Sequence, residues 1–219
     1  LMHLGDQMLK YYRVWEKRNN PPYKTWIRDG KPQVEVIFSI PYATEDGVYF
    51  EYRGRFDRIV TDQSGGLWIM DYKTAKRFPS PFTMEIDPQA AAYAWAASQM
   101  YGDRFEGVIF VHLLKEIPKP PKYGPGFVSV NQQQRTSSIL YRMAMRKAFP
   151  DNDAPEKVID FLNTLIEREP ELGDRYIRYH EVRKTPEALE QEAKVIQFEV
   201  AEMLDPDLAI YPNPTWTLS

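Results

Sequence analysis

The sequence contains no cysteine. Disulfides, thiolate nucleophiles, cysteine-ligated zinc and iron–sulfur clusters are therefore excluded within these residues, and a cytoplasmic location is the expectation compatible with that lack. Long hydrophobic runs are missing too. No stretch reaches the roughly eighteen apolar residues of a membrane-spanning helix, so no membrane partner is expected. No signal peptide is legible: "LMHLGDQMLKYY" already reads as a structured helix, one that begins mid-pattern as though a native start preceded it. Charge of one sign is also absent. The 28 Lys and Arg against 31 Asp and Glu leave a net charge of −3, not the basic balance of a whole-chain nucleic-acid binder.

What is present suits one globular domain with helical additions: 219 residues, 43% of them hydrophobic. Positive charge is clustered locally. Arg53, Arg55, Arg58, Lys73, Lys76 and Arg77 form one group, and Lys115, Lys119 and Lys122 stand in a Pro-rich segment. Each group reads as a solvated face or as a contact for an acidic partner; the second, "KEIPKPPKYGPG", could track a DNA strand or be an exposed loop.

Periodicity orders the elements, and no internal repeat is seen. Leu4, Met8, Tyr11, Val14 and Trp15 recur at helical spacing, and "NNPPYKTW" ends that helix. "QVEVIFSIPY", "GVYFEYRGRFDRIVTD" and "LWIMDYKT" read as three strands of an antiparallel meander, with Gly65-Gly66 in a tight turn. "DPQAAAYAWAASQMYG" carries helix signals at both ends: Asp87 as N-cap, Pro88 in the first turn, Gly102 beyond the end. "FEGVIFVHLLKE" reads as a strand buried on both faces and "FVSVN" as a short strand. "QQRTSSILYRMAMRKAF", "PEKVIDFLNTLIERE" and "PEALEQEAKVIQFEVAEML" have helical periodicity, with "RYIRYHEVRKT" a candidate strand between the last two. The fold class expected is mixed α/β, a β-sheet core flanked by helices with a helical C-terminal part. It forms a single domain over 1–219, with its core at about 33–130, an N-terminal helix over 1–18 and C-terminal helices over 132–204.

The chemistry concentrates on strands. Glu35, Asp57 and Asp71 are carboxylates in apolar surroundings, where they need a partner or a cation. Asp57 and Asp71 belong to neighbouring strands joined by a short turn, so they can converge. Two carboxylates and a carbonyl oxygen suit Mg²⁺ or Mn²⁺. Lys73, two residues from Asp71, shares its face while Tyr72 points the other way. Lys73 can then orient or deprotonate a water beside the cation, a layout for hydrolysis of phosphodiesters. A plain ion pair between Asp71 and Lys73 is the simpler reading, but it leaves Asp57 unexplained. Gln89 and Tyr93 share a helical face in "QAAAY", where alanines allow close approach to the sheet and the two side chains can hold a water, a phosphate or the lysine. Trp15, Trp26, Trp68 and Trp95 read as core, His112 as a core histidine and His180 as surface.

Together "GRFDRI", "LWIMDYKT" and "QAAAY" resemble the PD-(D/E)XK nuclease superfamily, in particular its RecB-like exonuclease branch with CRISPR-associated and phage members. That branch shows G-x-x-D-R, then D-Y-K-T, then Q-x-x-x-Y. Here these are Gly54, Asp57 and Arg58; Asp71, Tyr72, Lys73 and Thr74; Gln89 and Tyr93. The likeness is sharpest over 33–112 and diffuse elsewhere. It implies a restriction-endonuclease-like sheet and a DNA nuclease, with Asp57, Asp71, Lys73, Gln89 and Tyr93 catalytic. It implies Mg²⁺ or Mn²⁺ held by His3, Asp57, Asp71 and the Tyr72 backbone carbonyl, with Glu35 and Arg58 in support. Many members also carry a four-cysteine iron–sulfur cluster, which would require cysteines outside these residues. The partner implied is DNA, as single strands or duplex ends, and the function is exonucleolytic DNA processing, repair or recombination. The alternative is a catalytically silent DNA-binding or scaffold subunit on the same fold.

Overall fold

A computed structural model describes residues 2–43 and 47–204. Its sheet grows from sequence neighbours. Strand β4 (Val34–Ala43) pairs antiparallel with β5 (Tyr49–Thr61), and β5 pairs antiparallel with β6 (Leu67–Ala75), the expected meander. Asp62 closes the turn between them: its carboxylate accepts from Ser64 N, Gly66 N and the Trp68 indole. A short β1 (Lys24–Thr25) continues along the edge of β5 that β4 leaves. Small hairpins, β2 (Ile27–Arg28) with β3 (Lys31–Pro32) and β8 (Tyr123–Gly124) with β9 (Phe127–Val128), lie off the main sheet.

The chain then crosses over. Two helices, α2 (Pro81–Glu85) and α3 (Pro88–Tyr101), connect β6 to β7 (Phe105–Leu114), which pairs parallel with β6 because a crossover returns the chain in the same direction. Helix α3 starts where expected: the Asp87 side chain accepts from Ala90 N, and Pro88 occupies the first turn. The final strand, β10 (Ile177–Val182), pairs antiparallel with the far side of β7, so the C-terminal half contributes to the sheet itself.

Both faces of the sheet are covered, which is why β7 is buried from Gly107 to Leu113. On one face Phe56, Ile59, Ile69, Val108 and Phe110 meet Ala90, Ala94, Trp95 and Ala97 of α3, with Ile196 of α6 (Pro186–Leu204) in the same cluster. The small residues of α3 allow the close approach. On the other face Met8, Tyr11, Tyr12 and Trp15 of α1 (Met2–Asn19) cover Val60, Trp68, Met70, Ile109 and Val111. A separate cluster joins α4 (Ser138–Ala148) and α5 (Glu156–Glu167) through Tyr141 and Phe161.

Two expectations need correction. The helix read from Gln133 begins at Ser138, because the Ser137 side chain caps it by accepting from Leu140 N. His180, read as surface, is buried, since β10 carries it against His112 of β7. Among the described residues no helix is long and apolar enough to cross a membrane.

Candidate active site

The site forms where β5 and β6 part. Their ladder runs from Thr61 opposite Leu67 to Arg58 opposite Met70, and the next step would set Asp57 opposite Asp71. The pairing stops there. Phe56 and Ile59 both enter the α3-side core although strict alternation would separate them. Glu35, facing Asp57 from β4, has φ of 52°, in the left-handed region. The β4–β5 pairing keeps its register across this point, from Val34 opposite Arg58 to Val36 opposite Phe56, so these features mark a local break in alternation without an inserted residue. The Asp57 side chain fills the break: its Oδ2 accepts from Tyr72 N at 3.2 Å.

Asp71 is 3% exposed. Its Oδ2, sealed from solvent, lies 2.7 Å from Lys73 Nζ in a buried ion pair. Lys73 Nζ also donates to Gln89 Oε1 at 2.6 Å. The lysine is thus held between strand and helix. Burial pushes the Asp71 carboxyl above its ordinary range; Lys73 opposes this, while the negative charges of Asp57 and Asp87 add to it. Such a carboxylate favours any positive charge placed on it, a proton or a metal ion.

The other residues singled out fall into distinct places. Tyr93 reaches neither lysine nor carboxylate by hydrogen bond: its OH donates to the Arg55 carbonyl at 3.1 Å and its ring stands edge-on to Phe56, tying α3 to β5 just before Asp57. The Tyr72 side chain lies on the opposite face, where its OH accepts from Arg58 Nη1 at 2.7 Å. Arg58 is on that face too, and its Nε donates to Thr25 Oγ1 at 2.9 Å, so it braces the strands behind the carboxylates instead of meeting them. Glu35 pairs with Arg55 at 2.9 Å in the open. The His3 side chain lies outside the described residues.

Among the described residues, no three His, Asp or Glu side chains gather closely enough to hold a metal ion. At such a site Asp57 and Asp71 would supply two carboxylates, and further oxygens would come from backbone, water or substrate. Mg²⁺ accepts this, since it commonly binds through one or two carboxylates and keeps several waters. The buried Asp71 carboxylate, whose pKa stays raised despite Lys73, is the observation that fits such an ion.

Two neighbours of the site had no sequence signal. Asp87 was legible only as a helix cap, yet its charge bears on Asp71. His112 stands opposite Lys73 across the β6–β7 pairing, with its ring centre 5.1 Å from that of His180. Burial, then His180 and Lys73, lower the His112 pKa to about 4, so it is neutral at pH 7.

Residues 6–215 match the family described as the PD-(D/E)XK nuclease superfamily. Among curated proteins none matches the chain. One solved structure, titled "Crystal structure of SSO0001", aligns over 94% of this chain and 71% of its own at 15% identity, with a TM-score of 0.33, too low to carry an argument.

Proposed function

The chain belongs to the PD-(D/E)XK nuclease superfamily, and from that premise we propose that it is a Mg²⁺- or Mn²⁺-dependent deoxyribonuclease of RecB-like type. It acts as an exonuclease on DNA ends in DNA processing, repair or recombination. The observation that supports this reading is that Asp57 accepts from the Tyr72 amide next to Asp71, where β5 and β6 part, with the Lys73 ammonium 2.7 Å from Asp71.

In this reading Asp57, Asp71 and the Tyr72 carbonyl hold the ion, with His3 a further ligand. When bound, the ion polarises the scissile phosphate and supplies a water ready to attack. Lys73 orients that water and stabilises charge as it develops on the phosphate. Gln89 keeps the ammonium in place once the ion takes over part of the Asp71 charge. Tyr93 fixes the segment of β5 at Arg55 and Phe56, and so the position of Asp57, relative to α3. Arg58 acts from behind, through Tyr72.

End-labelled DNA incubated with Mn²⁺ tests the assignment. Wild-type protein should release nucleotides, and Asp71→Asn should reduce the rate by about a hundredfold to a thousandfold, as loss of a main electrostatic contributor does. Undiminished cleavage by the variant would misplace the site. DNA binding by the wild type with no cleavage under any divalent ion would favour the silent DNA-holding subunit.

A further inference from the structure

Beside the carboxylate site lies a second feature that the reaction does not use. A cavity of about 210 Å³ opens between the segment after β6, the start of α4, the end of α5 and the start of β10. Arg168, Arg175 and Arg178 line it, and among the described residues none of the three is paired with a carboxylate. Arg178 stacks over Phe78, its Cζ 4.7 Å from the ring centre, so its guanidinium is held in place.

Two buried polar atoms at this cavity lack partners: Arg178 Nε and Thr136 Oγ1, the latter on a residue 1% exposed. Buried polar atoms are normally satisfied, so these two sealed groups leave the wall of the cavity short of acceptors, which a small shift of the Arg178 or Thr136 side chain towards an anion in the cavity would supply. Two acids also line the cavity, but their oxygens are engaged. Glu169 accepts from the Ser138 hydroxyl and backbone, and Asp174 from Tyr11 OH and the Tyr176 and Ile177 amides. The donors left open are cationic or hydroxyl, the chemistry that takes a phosphate.

The sheet connects the cavity to the carboxylates. Lys73 lies opposite His112 across β6 and β7, and His112 lies opposite Arg178 across β7 and β10. By alternation all three project from the same face. Arg178 is therefore two strand spacings from Lys73, roughly 10 Å. That spacing is on the scale of one or two nucleotides of a DNA strand, whose successive phosphates lie further apart than the axial rise.

We propose that this cavity binds the terminal phosphate monoester of a DNA strand whose nearby phosphodiester lies at Asp57 and Asp71. The proposal rests on the nuclease reading for its second half, and its first half concerns binding alone. A monoester is favoured over an internal diester because it carries close to two negative charges at neutral pH, matched to a cluster of unpaired arginines. The occupied site would measure cleavage from a phosphorylated end.

The test is fluorescence anisotropy of the full chain in EDTA with three short single-stranded DNAs of one sequence: 5′-phosphorylated, 3′-phosphorylated and hydroxyl at both ends. The expected result is about tenfold tighter binding of one phosphorylated form over the hydroxyl form, with inorganic phosphate as a competitor. Which terminus gains identifies the end that is read. Arg178→Gln should remove most of the preference. Thr136→Val, which deletes a hydroxyl with no protein partner, should reduce the preference without lowering Tm. Equal binding of all three DNAs by the wild type overturns the proposal, and so does a preference that survives both substitutions. A chain that prefers phosphorylated ends but never cuts keeps the cavity and loses the nuclease; one that cuts without end preference does the reverse.

Discussion

Replacing Asp71 by Asn should make the metal-free protein more stable while removing its response to metal. The side chain is 3% exposed and its pKa is raised by burial and by Asp57 and Asp87, with Lys73 opposing. A carboxyl that binds its proton more tightly in the fold adds stability below its unfolded value, near 3.8, and loses that advantage as pH climbs through the folded value. At neutral pH the ionised group is therefore a net cost. Deleting one member of a buried ion pair usually costs several kcal/mol, because the survivor is stranded. Here the survivor, Lys73, is 36% exposed and keeps Gln89, so relief of the Asp71 charge should dominate. The gain expected in EDTA is on the order of 1 kcal/mol, or about 2–4 °C in Tm for a chain of this size. Adding Mn²⁺ at a hundred times its Kd should stabilise the wild type by about 2.7 kcal/mol and leave Asp71→Asn nearly unmoved. The order of the two melting temperatures should thus invert between EDTA and Mn²⁺ in a thermal-shift assay. A variant less stable than wild type in EDTA, or a wild type whose Tm ignores Mn²⁺ and Mg²⁺ alike, would refute this reasoning.

Lys73→Met should lower the cleavage rate by about 10²–10⁴ while leaving Mn²⁺ binding intact or tighter, since the ammonium competes for Asp71; calorimetric titration read beside the rate checks both halves. Tyr93→Phe should cost about 1 kcal/mol in urea unfolding, through loss of the bond to the Arg55 carbonyl. Acidification should destabilise the fold through His112, whose folded pKa of about 4 lies below the free value of 6.5. Stability is complete above the unfolded value and is lost as pH falls between the two, by at most about 3 kcal/mol. His112→Leu should flatten the dependence of the urea midpoint on pH, and an unchanged slope would remove His112 as its source. Gly107→Ala should destabilise by roughly 1–3 kcal/mol, because a Cβ there would lie 2.6 Å from the Val182 carbonyl oxygen and 2.8 Å from the Trp68 ring; a denaturation midpoint equal to wild type would contradict that crowding.

Much of the sheet was legible because its local signals agree. The three meander strands, the Gly65-Gly66 turn and the capped α3 each declare themselves within a dozen residues. The juxtaposition of Asp71, Lys73 and Gln89 follows from alternation along one strand and the approach of the next helix. What was not legible depends on register. The break in alternation at Asp57 lies opposite the backbone of Glu35, and nothing in "QVEVIF" announces a positive φ for a glutamate. The entry of β10 beside β7, which buries His180 against His112 and brings Arg178 into line with Lys73, is a long-range pairing without a local cue. Tyr93 shares its helical face with Gln89 as the spacing implies, but its hydroxyl goes to the Arg55 carbonyl, which β5 holds within reach.

The central claim is that Asp57 and Asp71 grip one divalent ion next to Lys73. Anomalous diffraction from crystals grown with Mn²⁺ tests this most directly. The account predicts a manganese peak between the two carboxylates, with Lys73 retained by Gln89. A crystal with no peak there at saturating Mn²⁺, or with the metal bound elsewhere and the Lys73–Asp71 pair undisturbed, would contradict it.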